Sequence, residues 1–164
     1  MKAASAAAIL LVGVALGVVS MVMVQTPRAS DGGERFRRAL VARVIDGDTV
    51  ELASGERVRY LGLDTPEMLP QQECGAVAAT ELNRVLVEGR EVELLPGPED
   101  RDRFGRLLRY VFVESVFVNA ELVREGMARP QAFHPDERFH QVLTQIATDS
   151  RLASRGLWSV CGWN

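Results

Sequence analysis

The chain has 164 residues, which suits one ordinary folded domain, and a formal net charge of −3 at neutral pH. This charge argues against binding of nucleic acid through an overall basic surface. Apart from Lys2, every basic residue is an arginine. Any contact with a polyanion must therefore come from a local cluster of arginine side chains.

The N-terminus is apolar. Residues 3–24 form 22 positions without a charge, and about 20 apolar residues are enough for a helix to cross a bilayer. We therefore expect an N-terminal hydrophobic helix within residues 1–25, which is either a cleaved signal peptide or a membrane anchor spanning residues 3–24. No small-x-small cleavage motif follows directly, which favours the anchor. Both alternatives predict an extracytoplasmic protein, secreted or membrane-anchored.

After the apolar segment the chain changes to polar and then to alternating sequence. Residues 26–37 contain proline, serine and paired glycines and are predicted to be a flexible linker. The folded domain is expected over residues 38–160, followed by a C-terminal tail at 161–164. Its first three strands are predicted at residues 39–45, 49–52 and 57–63, joined by turns at 46–48 and 54–55 as a meander.

Two strands and three helices follow the meander. The predicted elements are a helix over 75–88, a strand over 91–95, a polar loop over 97–102, a strand over 106–113, and helices over 119–124 and 136–151. Helical spacing predicts that Leu82, Val85 and Leu86 face the core from the first helix, and that Val142 and Leu143 do so from the last. These elements fit an α+β fold, a five-stranded OB-fold Greek-key β-barrel with three helices, preceded by the hydrophobic helix.

Acidic residues lie at the ends of adjacent predicted strands. Asp48 begins the second strand and Asp64 ends the third, and these points are neighbours in a meander. Two carboxylates there would repel each other unless a cation lies between them. Oxygen ligands without a nearby histidine suit Ca²⁺ or Mg²⁺ better than Zn²⁺. The alternative is that Asp46 and Asp48 only form the turn.

Three further polar residues are candidates for chemistry. Glu67 follows a proline close to Asp64 and could orient or deprotonate a water molecule, or it could be a solvated loop residue. Arg59 lies in an apolar strand and needs a partner, which is either a phosphate or an ion pair with a glutamate such as Glu51 or Glu91. Arg106 precedes a strand and could bind a phosphate or be an ordinary exposed arginine.

The chain has two cysteines, Cys74 and Cys161. In a reducing compartment they would be small core residues. Outside the cytoplasm an even number of cysteines favours a disulfide.

These segments together resemble the staphylococcal nuclease (thermonuclease) family. The resemblance covers about residues 39–159. It is carried by residues 44–50, Arg59 with 63–67, Asp102 with 104–106, 118–119 with 122–123, Gly126 with Ala128, and 156–159. Phe104 stands where the family usually has a tyrosine, and Phe133 is the one aromatic residue in the segment where the family's tyrosines flank the bound base. These departures bear on base preference and affinity.

The resemblance implies a set of roles. It makes Ca²⁺ the cofactor, with ligands from Asp48, Asp64 and the backbone carbonyl of Thr65. Asp46 would lie near the ion without touching it. The implied catalytic residues are Arg59, Glu67 and Arg106, with the glutamate as general base and the two arginines on the phosphate.

The implied function is a Ca²⁺-dependent, sugar-nonspecific nuclease that hydrolyses phosphodiester bonds of DNA and RNA and leaves 3′-phosphate ends. The expected partners are DNA and RNA, preferably single-stranded, and the protein is expected to be monomeric. The alternative function is a non-catalytic OB-type module that binds nucleic acid or a protein. Such a module would be expected to have lost Glu67, Arg59 or Arg106 and to have a more basic or aromatic surface, and the sequence shows neither.

Overall fold

The computed structural model describes residues 36–163. The predicted hydrophobic helix and most of the predicted linker lie outside the described residues. No helix within residues 36–163 has the length and hydropathy of a membrane span. The elements in chain order are β1 (Arg37–Val44), β2 (Thr49–Leu52), β3 (Arg57–Tyr60), β4 (Leu63–Asp64), α1 (Ala76–Val87), β5 (Glu91–Arg101), β6 (Leu107–Val113), β7 (Val116–Phe117), α2 (Val118–Arg124), β8 (Arg129–Pro130), α3 (His140–Leu152) and α4 (Leu157–Val160).

Five strands form a closed barrel. Their order is β3-β2-β1-β5-β6, with every neighbouring pair antiparallel, and β7 continues the sheet beyond β6. A parallel pairing of β3 with β6 closes the barrel, with Val58 opposite Leu107 and Tyr60 opposite Arg109. Short strands β4 and β8 pair separately as a two-stranded sheet. The predicted five-stranded OB-type barrel in an α+β fold is confirmed.

The core lies inside the barrel and under the helices. Strand β6 is buried on both faces: Leu107 and Val111 point into the main core, whereas Leu108 and Tyr110 belong to a second cluster that includes Leu61. Helix α2 packs against β6 and α3. Both faces of β6 are covered because the barrel fills one side and the helical segment covers the other, so β6 reads as a nearly continuous apolar run.

Three predicted elements differ from the structure by more than two residues at one end. The third strand ends at Tyr60 rather than at residue 63, because Gly62 turns the chain with a φ of 79°. Residues 97–101 of the predicted loop over 97–102 form the end of β5, which pairs again with β6 after a shift in register. The last long helix begins at His140 rather than at residue 136, because Asp136 forms a turn whose backbone N–H donates to the carbonyl of Phe133. Strands β4, β7 and β8 and helix α4 were not predicted.

Glu56 joins three parts of the barrel. Its carboxylate lies in the turn between β2 and β3 and accepts hydrogen bonds from Arg37 Nη2 of β1 at 2.6 Å and from Arg101 Nη2 of β5 at 2.8 Å. The bonds from Arg37 and then Arg101 lower the pKa of Glu56 from 4.5 to about 2. A carboxylate whose pKa is lowered by folding stabilises the fold above its ordinary pKa and loses that contribution as the pH falls through the folded pKa.

We predict that Glu56→Gln lowers the free energy of unfolding by about 1 kcal/mol at pH 7, since exposed ion pairs contribute about 0.2–1 kcal/mol each. The difference from the parent protein should shrink between pH 5 and pH 2. Urea unfolding at pH 7 and at pH 3 measures it. Glu114→Gln is the control, because Glu114 is 84% exposed and lies 3.6 Å from its arginine partner. An equal loss at both pH values would show that the charge of Glu56 is not responsible.

Candidate active site

The turn between β1 and β2 brings Asp48 against Thr65. The Oδ1 of Asp46 accepts a hydrogen bond from the backbone N–H of Asp48 at 3.0 Å, which closes the turn. Gly47 has no side chain at the point of contact, and a Cβ there would lie 2.6 Å from Oγ1 of Thr65. Glycine is therefore required because the segment carrying Thr65 packs directly on the turn.

Asp48 is the most buried carboxylate of the site, at 3% exposed. Its Oδ2 accepts hydrogen bonds from the backbone N–H and the hydroxyl of Thr65, both at 3.1 Å, and its Oδ1 accepts one from the hydroxyl of Thr49 at 3.1 Å. Nη2 of Arg59 lies 3.1 Å from the same Oδ2. Four donors thus hold this side chain in a single orientation.

Arg59 connects the two predicted metal ligands. Its Nη2 also donates to Oδ1 of Asp64 at 3.1 Å, and its Nη1 donates to the carbonyls of Tyr60 at 2.7 Å and Leu63 at 3.0 Å. The guanidinium therefore pairs with Asp48 and Asp64, and not with Glu51 or Glu91. The ring of Phe133 covers it, with 5.4 Å between the guanidinium carbon and the ring centroid.

The loop that carries Glu67 is fixed by Glu73. The backbone N–H of Glu67 donates to Oε2 of Glu73 at 3.1 Å, and the backbone N–H of Glu73 donates to the carbonyl of Glu67 at 2.9 Å. A disulfide joins the adjacent Cys74 to Cys161, with 5.8 Å between their Cα atoms. The side chain of Glu67 remains exposed, so its carboxylate is available while its backbone is held.

The acidic side chains of the site repel one another. Burial, together with the charges of Asp46 and Asp64, raises the pKa of Asp48 to about 7, although Arg59 opposes this rise. Burial and the same two aspartates raise the pKa of Glu67, again opposed by Arg59. A single arginine therefore faces four carboxylates, and additional positive charge would stabilise their ionised forms.

The structure places the predicted metal ligands around Arg59. Asp64 is partly exposed, whereas Asp48 is enclosed. Among residues 36–163, no three acidic, histidine or cysteine side chains converge closely enough to hold a metal ion by themselves. The Ca²⁺ ligands that the resemblance implies, Asp48, Asp64 and the backbone carbonyl of Thr65, offer three oxygens, so water would have to complete such a site. These oxygens are the donors that Ca²⁺ prefers.

Arg106 lies in an open groove of about 780 Å³ that it shares with Glu67. Its Nε donates to Oδ2 of Asp102 at 2.7 Å, and its backbone N–H donates to Oδ1 of the same residue at 3.0 Å. The exposed ring of Phe104 lies beside the guanidinium, with 5.6 Å to the ring centroid. Asp102 therefore orients Arg106 towards the groove, whereas Asp48, Arg59 and Asp64 do not line the groove.

Sequence reasoning missed two supporting residues, Glu73 and Asn83, and one contact of Thr65. Glu73 positions Glu67, and the amide of Thr65 holds Asp48, although only the carbonyl of Thr65 was singled out. Asn83 of α1 is fully buried; its Nδ2 donates to the carbonyl of Asp46 at 3.0 Å, and its Oδ1 accepts from the hydroxyl of Tyr60 at 2.9 Å. An asparagine on the inner face of a helix indicates such a supporting role only weakly. Nothing in the sequence around Glu73 indicates its role.

These observations define a class of protein. Its members are small closed OB-type barrels that carry carboxylates and arginines close together. Residues 57–160 match the family model described as "Staphylococcal nuclease homologue". A thermonuclease of Staphylococcus intermedius is 33% identical over 126 residues, which cover 73% of this chain and 74% of that protein.

Two further relatives come from other genera. Endonuclease YncB of Bacillus subtilis is 31% identical over 129 residues, covering 74% of this chain and 61% of that protein. An uncharacterized endonuclease of Escherichia coli O157:H7 is 34% identical over 124 residues, covering 73% and 75%. The chain belongs to the staphylococcal nuclease family.

The disulfide should contribute strongly to stability, because it joins residues 87 positions apart. We predict that Cys74→Ser with Cys161→Ser lowers the free energy of unfolding by up to about 4–5 kcal/mol, the loss of chain entropy in a loop of this size. Guanidinium unfolding measures it, and the reduced parent protein is the control that should match the double variant. Alkylation of both thiols in the unreduced protein would contradict the bridge.

Proposed function

We propose that the chain is a Ca²⁺-dependent nuclease that hydrolyses phosphodiester bonds of DNA and RNA and leaves 3′-phosphate ends. The observation that carries this proposal is the pairing of Asp48 and Asp64 through Arg59, next to a groove lined by Glu67 and Arg106. The relatives named thermonuclease and endonuclease support a nuclease activity.

The charge of the site supports a bound cation. Asp48 is buried among carboxylates that raise its pKa, and Arg59 is the one cation that opposes them. Asp48, Asp64 and the carbonyl of Thr65 would hold Ca²⁺, since all three offer oxygen and no histidine is among them. When bound, Ca²⁺ supplies positive charge against the developing charge of the phosphate and a position for a water molecule.

The side chains of this chain would perform the remaining steps. Arg106, oriented by Asp102, donates hydrogen bonds to the phosphate from the groove. Arg59, whose terminal nitrogens are already bonded within the protein, adds its positive charge from the acidic side of the site. Glu67 accepts a proton from the attacking water, whose oxygen forms the new bond to phosphorus. The bond from phosphorus to the 5′ oxygen breaks, so the phosphate stays on the 3′ side, and the leaving 5′ oxygen takes a proton from solvent water.

We place this activity outside the cytoplasm, in a secreted or membrane-anchored protein. The disulfide between Cys74 and Cys161 supports this location, because cytoplasmic thiols are kept reduced. The proposed substrate is preferably single-stranded, and the proposed form is a monomer. Size-exclusion chromatography with light scattering tests the last point.

Removal of Ca²⁺ tests the proposed function. The full-length protein, kept in detergent because residues 3–24 are apolar, should digest single-stranded DNA and RNA in Ca²⁺, lose this activity in chelator, and recover it when Ca²⁺ is restored. Gel analysis with end-group labelling should detect 3′-phosphates. Unchanged digestion in chelator would refute the metal requirement, and binding without digestion would favour the non-catalytic module.

Glu67→Gln tests the general base. The amide keeps the shape of the side chain but does not accept a proton at neutral pH. Because general-base catalysis contributes about 10²–10⁴-fold, we expect a loss of this size in kcat with little change in KM. Glu114→Gln, at an exposed glutamate, is the matched control and should be unchanged.

Asp48→Asn separates the metal site from the base. This variant should weaken Ca²⁺ binding, so that excess Ca²⁺ partly restores its activity. If excess Ca²⁺ instead restores Glu67→Gln, then Glu67 is a metal ligand and not the base.

A further inference from the structure

The groove that contains Arg106 also contains two other arginines. Arg57 and Arg101 line it together with Arg106, and the acidic residues in its lining are Glu56 and Glu67. Three arginines therefore face two glutamates in a chain whose net charge is −3. This groove is a local basic surface of the kind that an acidic domain needs in order to bind a polyanion.

Closure of the barrel places Arg57 beside Arg106. In the parallel pairing of β3 with β6, Val58 is opposite Leu107. Arg57 and Arg106 immediately precede these two residues, so they lie at the same end of two adjacent strands. Neighbouring strands are about 4.8 Å apart, and both residues line the same groove.

Arg101 has a structural role in this groove. Its Nη2 donates to Oε1 of Glu56 at 2.8 Å, and its Nη1 donates to the carbonyl of Gly105 at 2.9 Å. Nη1 thus holds the turn that leads to Arg106, and Nη2 holds the turn between β2 and β3. The terminal nitrogens of Arg101 are therefore already hydrogen-bonded within the protein, and this side chain is not the one that we expect to bind a ligand.

Arg57 is not held in this way. Its side chain is 58% exposed, and its Nε lies 3.7 Å from Oε2 of Glu51, which is longer than a hydrogen bond. Glu51 is already bound by Arg43 through two hydrogen bonds, of 3.1 and 2.9 Å. The guanidinium of Arg57 can therefore turn to a ligand in the groove without breaking a bond that the fold requires.

We propose that Arg57 binds a second phosphate of the substrate, next to the phosphate held by Arg106. This inference rests on the proposed nuclease function and deepens it: the preferred substrate is a strand with at least two successive phosphates, and not a single diester. Arg57 increases affinity for the strand and does not act on the reacting atoms.

Binding of a strand tests this role without depending on cleavage. A fluorescein-labelled single-stranded DNA of ten nucleotides is titrated by anisotropy against the full-length protein carrying Glu67→Gln, in Ca²⁺, over a range of salt concentrations. Arg57→Ala is compared with Arg43→Ala. The two arginines are equally exposed, at 58% and 57%, both pair with Glu51, and only Arg57 lines the groove.

Arg57→Ala should weaken binding by roughly 5–10-fold and lower the slope of log K against log salt by about 0.7, the value for one phosphate contact on a single strand. Arg43→Ala should leave that slope unchanged. In the protein that retains Glu67, Arg57→Ala should raise KM for the DNA while leaving hydrolysis of bis(p-nitrophenyl) phosphate, which has one phosphate, at the parent rate.

Equal behaviour of Arg57→Ala and Arg43→Ala, or no binding of the strand by the parent, would overturn the proposal. An equal loss on the single-phosphate ester would also overturn it, because it would place Arg57 at the reacting phosphate. If the parent binds DNA but hydrolyses neither substrate in Ca²⁺, the nuclease function fails, and the binding comparison still decides the role of Arg57.

Discussion

The contact of Arg59 with Asp48 and Asp64 joins the fold to the site. A buried carboxylate is costly unless a charged partner and hydrogen bonds compensate it. Arg59 supplies that charge to Asp48 from the neighbouring strand, while Thr65 supplies the hydrogen bonds. The same guanidinium reaches Asp64 after the chain turns at Gly62. The acidic site is therefore formed by side chains that also fix the ends of β2, β3 and β4.

Barrel closure determines what surrounds this contact. Strands β3 and β6 are separated in the chain by α1 and β5, yet their parallel pairing makes them neighbours. The acidic cluster thus lies on one side of β3, and the groove with Arg57 and Arg106 lies where β3 meets β6. Glu67 belongs to both regions: it lines the groove, and the aspartates of the cluster raise its pKa. A site with separate acidic and basic parts allows a net acidic domain to receive a polyanion.

Local patterns predicted the barrel, because alternation and tight turns depend on nearby residues. The meander and the turn at residues 46–48 are examples. Predictions that depended on the choice of packing face succeeded less well. Val85 and Val142 were expected in the core but are 70% and 52% exposed. Helix α1 buries Asn83 instead of Val85, whereas α3 buries Leu143, as predicted, but not its neighbour Val142. The support of Glu67 by Glu73 could not be predicted, because it depends on how a loop folds back on itself.

The disulfide beside the loop of Glu67 can form only when the domain is almost completely synthesised. Cys74 lies next to Glu73, which holds the loop of Glu67, while its partner Cys161 follows α4 near the other end of the domain. During synthesis the loop segment is made 87 residues before its covalent partner. A chain clipped or interrupted before Cys161 would contain every side chain assigned to catalysis and still lack the cross-link beside them. The covalent cross-link beside this loop can therefore form only after the chain has been synthesised past its last helix.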